Sequence, residues 1–532
     1  MNNKMNKIYQ VTAIIFLLIL IPILFCIFMW GNEMDYNPAT KLVTMYGNKR
    51  LLLLCIPVVV LLFIFIHFTR KVKLTRKISV IMNGLFLIAF TVVFFVNLEI
   101  CKCINIAQGW DVSCVVGKAY ELSKGILIGE ESYYSLYPNN VPITYVLYKL
   151  FTLADKIQKF PYVNDFMWVI VMCFLVSATG YLTCICVKKI TGNFAVTIIT
   201  FLMYVACVGI TPWKTVPYTD MFAILFPILC IELYILHYFS TKKWSRYFLW
   251  FLTYFIGFIG SLMKPTVLII PIAILLSESI RCILNLKQKW KELLIKMAIV
   301  IAAFGLYTGC KDYIYQDVGY EQNEEIEFTA LHFFMMGLNE ESTGSFSSQD
   351  VAVSGNVPLL KDRTQRQLEV ACGRLKEKGF VGYMDFLLRK MVMTFNDGTF
   401  GWGREGAFTY NVYPVYSDAS CTSLIQDIFI PGYAYGEHFN TYSQTVWLLI
   451  IFCLPGFCFI EKEKREACLP VLVSMLGIIL YLMLFEARAR YLICFLPILM
   501  MAAGIGLVNY YKVILNGVSK LKHCKIAHIM IK

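Results

Sequence analysis

Twelve apolar runs, each approaching the length needed to cross a bilayer, divide this 532-residue chain. Hydrocarbon offers no partners to backbone polar groups, so a membrane-crossing run of about 20 residues must be helical. Hydrophobic residues make up 58% of the chain and charged residues 16%. A soluble chain of this length would split into several domains and carry more charge. The expected fold class is an all-α polytopic membrane protein with about twelve transmembrane helices.

Charge sets the sidedness. The formal net charge is +13, from 48 Lys and Arg against 35 Asp and Glu. Most of the cations sit in short loops between apolar runs, which points to topology and away from nucleic acid as a partner. Arg70, Lys71, Lys73, Arg76 and Lys77 precede the third run, Ser79 to Leu98, and assign that loop to the cytoplasm. The N-terminus is then cytoplasmic, and Tyr9 to Trp30 reads as an uncleaved first helix. The segment after Leu98 lies outside. Within it, Val141 to Leu153 is short for a span. If it crossed, Lys188, Lys189 and every later loop would violate the charge rule, so it is expected to be a juxtamembrane or re-entrant helix.

The expected organisation follows. Residues 1–77 hold two N-terminal helices. Residues 78–310 form a transmembrane core whose first outer loop is 99–163. Residues 311–442 are a large late extracellular region, residues 443–510 carry the last spans, and residues 511–532 form a cytoplasmic tail. In the late region, Gln365 to Lys378 reads as an exposed helix and Phe380 to Val392 as an apolar helix lying on the membrane. Phe395 to Gly406 is rich in Gly and aromatics, which predicts an ordered loop near the bilayer. No internal repeat is evident, although many transporters carry one.

The chain has 19 cysteines. Most lie inside apolar runs, where cysteine is a small apolar filler. No spacing suggests zinc. Cys101, Cys103 and Cys114 fall outside the membrane, which leaves a disulfide among them open.

The residues that can carry chemistry gather at the outer face. Asp111 follows Gly109-Trp110 just beyond the third run. It reads either as a cap for the next helix or as a functional carboxylate among Tyr133, Tyr134 and Tyr137-Pro138-Asn139-Asn140. Asp220, in Pro217-Tyr218-Thr219-Asp220, sits on the same side. It reads as an N-cap or as a partner of Asp111 in metal binding or in acid–base and positioning work. Lys214, Lys264, Arg488 and Arg490 are outer cations that break the charge bias. Arg488 and Arg490, at i and i+2, are expected on different sides of a helix, one of them facing the core. Guanidinium groups there suit a phosphate, lipid headgroups, or the adjacent Glu486. Asp397 and Glu405 in the aromatic loop are further acidic candidates.

Together these features resemble the GT-C superfamily of membrane glycosyltransferases, which includes protein O-mannosyltransferases and the aminoarabinose transferase of lipid A. The resemblance spans roughly Ser79 to Tyr491. It rests on the outer-loop acid Asp111, the aromatic-proline motif Tyr137 to Asn140 with the helix after it, and Pro217 to Asp220. Lys264-Pro265-Thr266 and Arg490-Tyr491 add to it. The motifs His332 to Asn339 and Asp397 to Phe400 are similar to those of a poorly characterised branch in Gram-positive bacteria. The chain departs from the family's pattern by two extra N-terminal helices and by a single acid at Asp111 where some members have an adjacent pair.

What the resemblance implies is transfer of a sugar from a polyprenyl-phosphate carrier to an extracytoplasmic acceptor: a cell-surface glycopolymer, a lipid or a protein. Asp111 would be the general base. Arg488 or Arg490, with Lys264, would stabilise the leaving phosphate. One base and direct displacement imply inversion at the anomeric carbon. Asp220, Tyr137, Asn139, Asn140 and Glu405 would bind substrate. The cofactor is left open, a divalent metal on Asp111 and Asp220 being one option. The location implied is the cytoplasmic membrane, multi-pass, with the site facing outward. The alternatives are a transporter or flippase, and a surface-polysaccharide polymerase or ligase. The spans carry few of the ionisable groups that a transporter needs near mid-membrane.

Overall fold

A computed structural model describes residues 3–30, 47–129, 132–157, 163–357, 359–405, 407–412 and 420–530. Residues 31–46, the loop between the first two apolar runs that holds Glu33 and Asp35, lie outside the described residues, as does Gly406. Among the described residues every regular element is helical, and β pairing is limited to two isolated bridges.

Eleven helices are long and apolar enough to cross a membrane, from Lys4–Met29 to Ala489–Gly517. A shorter apolar helix, Phe194–Gly209, occupies the remaining run. The twelve apolar runs of the sequence therefore all become helices. Their order places the loops before residues 76, 194 and 243 at one end of the bundle, with the cations Arg70, Lys71, Lys73 and Lys242. The other end collects the irregular segments around residues 104–109, 210–218, 264 and 485–488.

The last span is the axis of the bundle: 94% of its most apolar window is buried. Small residues allow that approach. A β-carbon on Gly506 would meet the Cys453 carbonyl, and one on Gly456 would meet the backbone of Gly506. The periphery is opposite in character. The windows of Asn48–Thr69 and Leu286–Asp317 are 17% and 11% buried, so their Leu, Ile and Phe side chains face outward, as a lipid-facing surface requires.

Buried ion pairs tie the basic end together. Glu278 accepts from Lys296 at 2.7 Å and Arg281 at 3.1 Å, and Arg281 also reaches Glu466 at 2.7 Å.

At the irregular end, Val141–Ile157 is a helix packed along Trp110–Ser123. Val141, Thr144, Leu147, Phe151 and Ala154 share its buried face at helical spacing. Lys149 ties its other side to Asp317 at 2.6 Å. It is not among the helices long enough to span.

The two late helices expected from the sequence are halves of one run, Leu360–Phe395, broken at Gly379, whose φ of 57° favours glycine. In the second half Phe386, Leu387, Met391 and Val392 are buried against the chain, while Phe380, Val381 and Met384 are exposed.

The N-terminal pair of helices is built into the bundle. Asn48 donates to the Asn396 side chain at 2.7 Å. Gln444 donates to Asn48 at 3.1 Å and to Asn396 at 2.9 Å. These amides join the start of the second helix to the aromatic loop. Cys101 and Cys103 are buried, Cys114 is exposed, and all three are free thiols, so the disulfide left open by the sequence does not form here.

Candidate functional site

Proline and extended backbone build the site. The helix Lys243–Met263 stops before Pro265, and Lys264 takes an extended conformation (φ −151°, ψ 114°) that turns it back toward the bundle end. Its ammonium pairs with Asp220, the second residue of the turn Thr219–Phe222. Asp220 is 2% exposed. It caps no helix. Its second oxygen lies 3.4 Å from the Arg490 guanidinium.

Arg488 and Arg490 correct the sequence expectation. They do not lie on one helix. Phe485 and Arg488 are extended, and the short 3-10 helix begins only at Ala489. Arg488 is thus the extended cap and Arg490 the second residue of the 3-10 helix, and across that change of conformation both arginines reach Glu405: Arg490 Nε at 3.0 Å and Arg488 at 3.5 Å. Arg488 also lies 3.4 Å from Glu486, which accepts from the Tyr491 hydroxyl at 2.9 Å. The segment is docked on the late region, where Glu486 N–H donates to Phe333 and Ala487 N–H to Gly344, each at 3.0 Å.

Aromatic rings enclose these charges. The Arg490 guanidinium lies 4.8 Å from the Trp110 ring and 5.2 Å from the Tyr218 ring. The Lys264 ammonium stands 4.5 Å from the Tyr491 ring. Such contacts hold cations where water is scarce. Trp110 has a left-handed φ of 46°, a strained state for a bulky residue that its surroundings must enforce. Phe408 supplies part of that constraint, edge-on at 4.5 Å. It fits because residue 109 is glycine: a β-carbon there would fall 2.7 Å from the Phe408 ring.

Asp111 follows in the first turn of Trp110–Ser123, where Gly109 leaves the cap without a side chain. Its carboxylate accepts from the Tyr218 hydroxyl at 3.0 Å. Tyr133 and Tyr137 face the same carboxylate, and Tyr137 also faces Glu486. Burial, then Asp111 and Glu486, pushes the Tyr137 hydroxyl up to about 12. Asn140 is buried and donates to the Tyr133 hydroxyl at 2.6 Å, so it acts on the cluster through that tyrosine. Asn139 is exposed, and its amide reaches only Asn140, at 3.3 Å. Tyr134 belongs to the core, bonded to Thr144 at 2.9 Å.

The aromatic loop delivers Glu405. Asp397 accepts from Thr399 N–H at 2.9 Å and from Gly401 N–H at 2.8 Å, which fixes the turn. Gly401, at φ 83°, leaves room for the Glu405 side chain, which a β-carbon would touch at 2.8 Å. Burial pushes the Glu405 carboxyl up, while Arg490 and Arg488 oppose it. Lys214 stays apart. Its ammonium is fully buried near Cys101 and Cys173, and burial pulls its pKa down.

The residues present do not fit a divalent metal. Asp220 is taken by Lys264 and Arg490, while Asp111 is capped by Tyr218. Among the described residues no three or more His, Cys, Asp or Glu are grouped to hold a metal ion.

A family model described as conserved hypothetical integral membrane protein matches residues 3–509. The chain belongs to that family. No curated protein and no solved structure matches it. The family match contains the whole cluster from Asp111 to Tyr491, and also the two N-terminal helices. Those helices are thus part of the conserved hypothetical integral membrane protein unit.

Three site groups lacked a distinct sequence signal. Tyr218 stood beside Asp220 in a motif but offered no reason to reach Asp111. Glu486 and Tyr491 pair across a bend that only the extended Phe485–Arg488 segment creates. Lys390, which holds that segment, is 93 residues from Met483 in sequence.

Proposed function

We propose that this multi-pass membrane protein is a glycosyltransferase of the GT-C type. It would lie in the cytoplasmic membrane, with the site at the outer face, because the loops of the opposite end carry the cations. The reading takes a polyprenyl-phosphate sugar as donor and an extracytoplasmic hydroxyl as acceptor. One observation carries it: Arg490 is 7% exposed, yet its Nε and one terminal N–H make no well-directed hydrogen bond. Carboxylates lie 3.0 and 3.4 Å away but off the donor directions. A buried guanidinium with idle donors suits an incoming phosphate, whose oxygens match its fork.

The chemistry assigns the remaining groups. The acceptor hydroxyl loses its proton to Asp111 as it attacks the anomeric carbon, and Tyr218 orients that carboxylate. The bond from the anomeric carbon to the phosphate oxygen breaks, and the phosphate leaves onto Arg490 and Arg488, with Lys264 behind Asp220. A single displacement inverts the anomeric carbon.

Reconstitution with polyprenyl-phosphate sugars and product analysis tests this. Asp111→Asn is expected to lose transfer by at least about a hundredfold, the range of general-base catalysis, with expression and thermal stability retained. Full turnover in that variant rejects the base. Absence of transfer with every donor offered to the wild type rejects the reaction.

A further inference from the structure

The phosphate reading leaves a charge problem. Asp220, Glu405 and Glu486 already balance Lys264, Arg488 and Arg490 one for one. An anion entering here finds no spare positive charge in a dry pocket. One carboxylate must therefore yield. Asp220 is tied to Lys264, and Glu486 accepts from Tyr491 at 2.9 Å. Glu405 is the group that touches both arginines, and among the described residues its side chain has no cation partner besides them. Its side chain is 6% exposed.

We infer that Glu405 is a stand-in for the donor phosphate, occupying the arginines until a phosphodiester arrives, and that it takes up one proton from solvent as the exchange occurs. The inference rests on the reading of the arginines as a phosphate site. The neutral carboxyl then donates its O–H to a phosphate oxygen instead of repelling it. No covalent bond changes, and the proton comes from bulk water.

The surroundings of Glu405 favour that proton. Burial already pushes its carboxyl up, and only Arg490 and Arg488 resist. Asp220 and Asp397 face it and add to the rise. On its own loop Arg404 is engaged with Asp397 at 3.5 Å, and from the docked segment Glu486 is engaged with Arg488 at 3.4 Å. A phosphate that draws the two arginines away removes the charges that oppose protonation of Glu405.

The probe is farnesyl methyl phosphodiester, which stays a monoanion across the working range. Its binding to the purified full chain is followed by calorimetry at one pH in two buffers of different ionisation enthalpy. The wild type is expected to take up close to one proton per ligand near neutral pH, and its affinity is expected to weaken by up to about tenfold per pH unit on the alkaline side. Glu405→Gln is expected to bind without the proton uptake of the wild type, with a shallower pH profile, and tighter than wild type at about pH 8. Wild-type binding without proton uptake, or unchanged uptake in Glu405→Gln, overturns the stand-in while leaving the phosphate site intact. Failure of both proteins to bind the phosphodiester at any pH overturns the phosphate site itself.

Discussion

The Tyr218 hydroxyl donates to the Asp111 carboxylate at 3.0 Å, and the same ring lies 5.2 Å from the Arg490 guanidinium. One side chain thus joins the proposed base to the proposed phosphate site. Burial, and the Asp111 charge next, push the Tyr218 hydroxyl up, so it remains a donor. Tyr218→Phe keeps the ring and removes the bond that aims the base. Transfer is expected to fall about ten- to a hundredfold, less than the roughly hundredfold or more of losing the base itself, mostly in kcat because the ring still lies against Arg490. A loss confined to KM would place Tyr218 in donor binding alone.

Asp220 and Asp111 are expected to behave oppositely. Asp220 balances Lys264 and Arg490 in a site that is nearly dry. Removing one partner of a buried pair leaves uncompensated charge and costs about 3–5 kcal/mol. Asp220→Asn is therefore expected to lower the thermal midpoint together with activity. Among the described residues Asp111 forms no ion pair, and it is partly exposed, so Asp111→Asn should leave the midpoint near wild type. Thermal denaturation of the two variants in detergent checks this. Equal midpoints would dismiss the buried-pair account.

The membrane part was legible because bilayer length and loop charge are properties of local sequence. The short helix after Asn140 is one example, since its length and the charge rule together kept it from being counted as a span. The site was legible only as a set of residue types. Nothing local says that Phe485 to Arg488 is extended, so the i, i+2 spacing of Arg488 and Arg490 was read with helical geometry. Docking on Phe333 and Gly344 overrides that period. The apolar spacing of Phe380 to Val392 was similarly ambiguous. A stripe fit for lipid is equally fit for a protein surface, and here much of it is buried against the protein.

The amide cluster of Asn48, Asn396 and Gln444 gives a test of the N-terminal helices. Gln444 also accepts from Gly398 N–H at 2.7 Å, within the turn that aims Glu405. Gln444→Leu leaves the Gly398 N–H without its acceptor, at about 1–3 kcal/mol for a buried group, and takes one donor each from Asn48 and Asn396. The variant is expected to be less stable and to bind donor with altered affinity and less proton uptake, because the loop bearing Glu405 is no longer held. Donor titration of the folded fraction measures it. Unchanged affinity would detach the N-terminal helices from the site.

Lys390 carries the pH prediction. Its ammonium is fully buried and donates to the carbonyls of Gly337 at 2.7 Å, Met483 at 3.1 Å and Phe485 at 2.6 Å. It thereby pins the segment that presents Arg488 and Arg490. Burial pushes it down to about 7, and Glu486 opposes the fall. The holding form is the ammonium, present below that value and lost as pH rises through it, since a neutral amine cannot serve all three carbonyls. Global stability moves the other way. Above about 7 the folded chain has released a proton that the unfolded chain keeps until about 10.4, so this group makes stability rise with pH. At saturating donor, which removes the Glu405 contribution, kcat is expected to decline through about pH 7 while the thermal midpoint does not fall with it. Lys390→Arg stays charged and should move that decline to higher pH. Lys390→Met strips three buried carbonyls of their donor and should depress both kcat and stability at every pH. A wild-type kcat that is flat across neutrality would show that the ammonium does not govern the arginine segment.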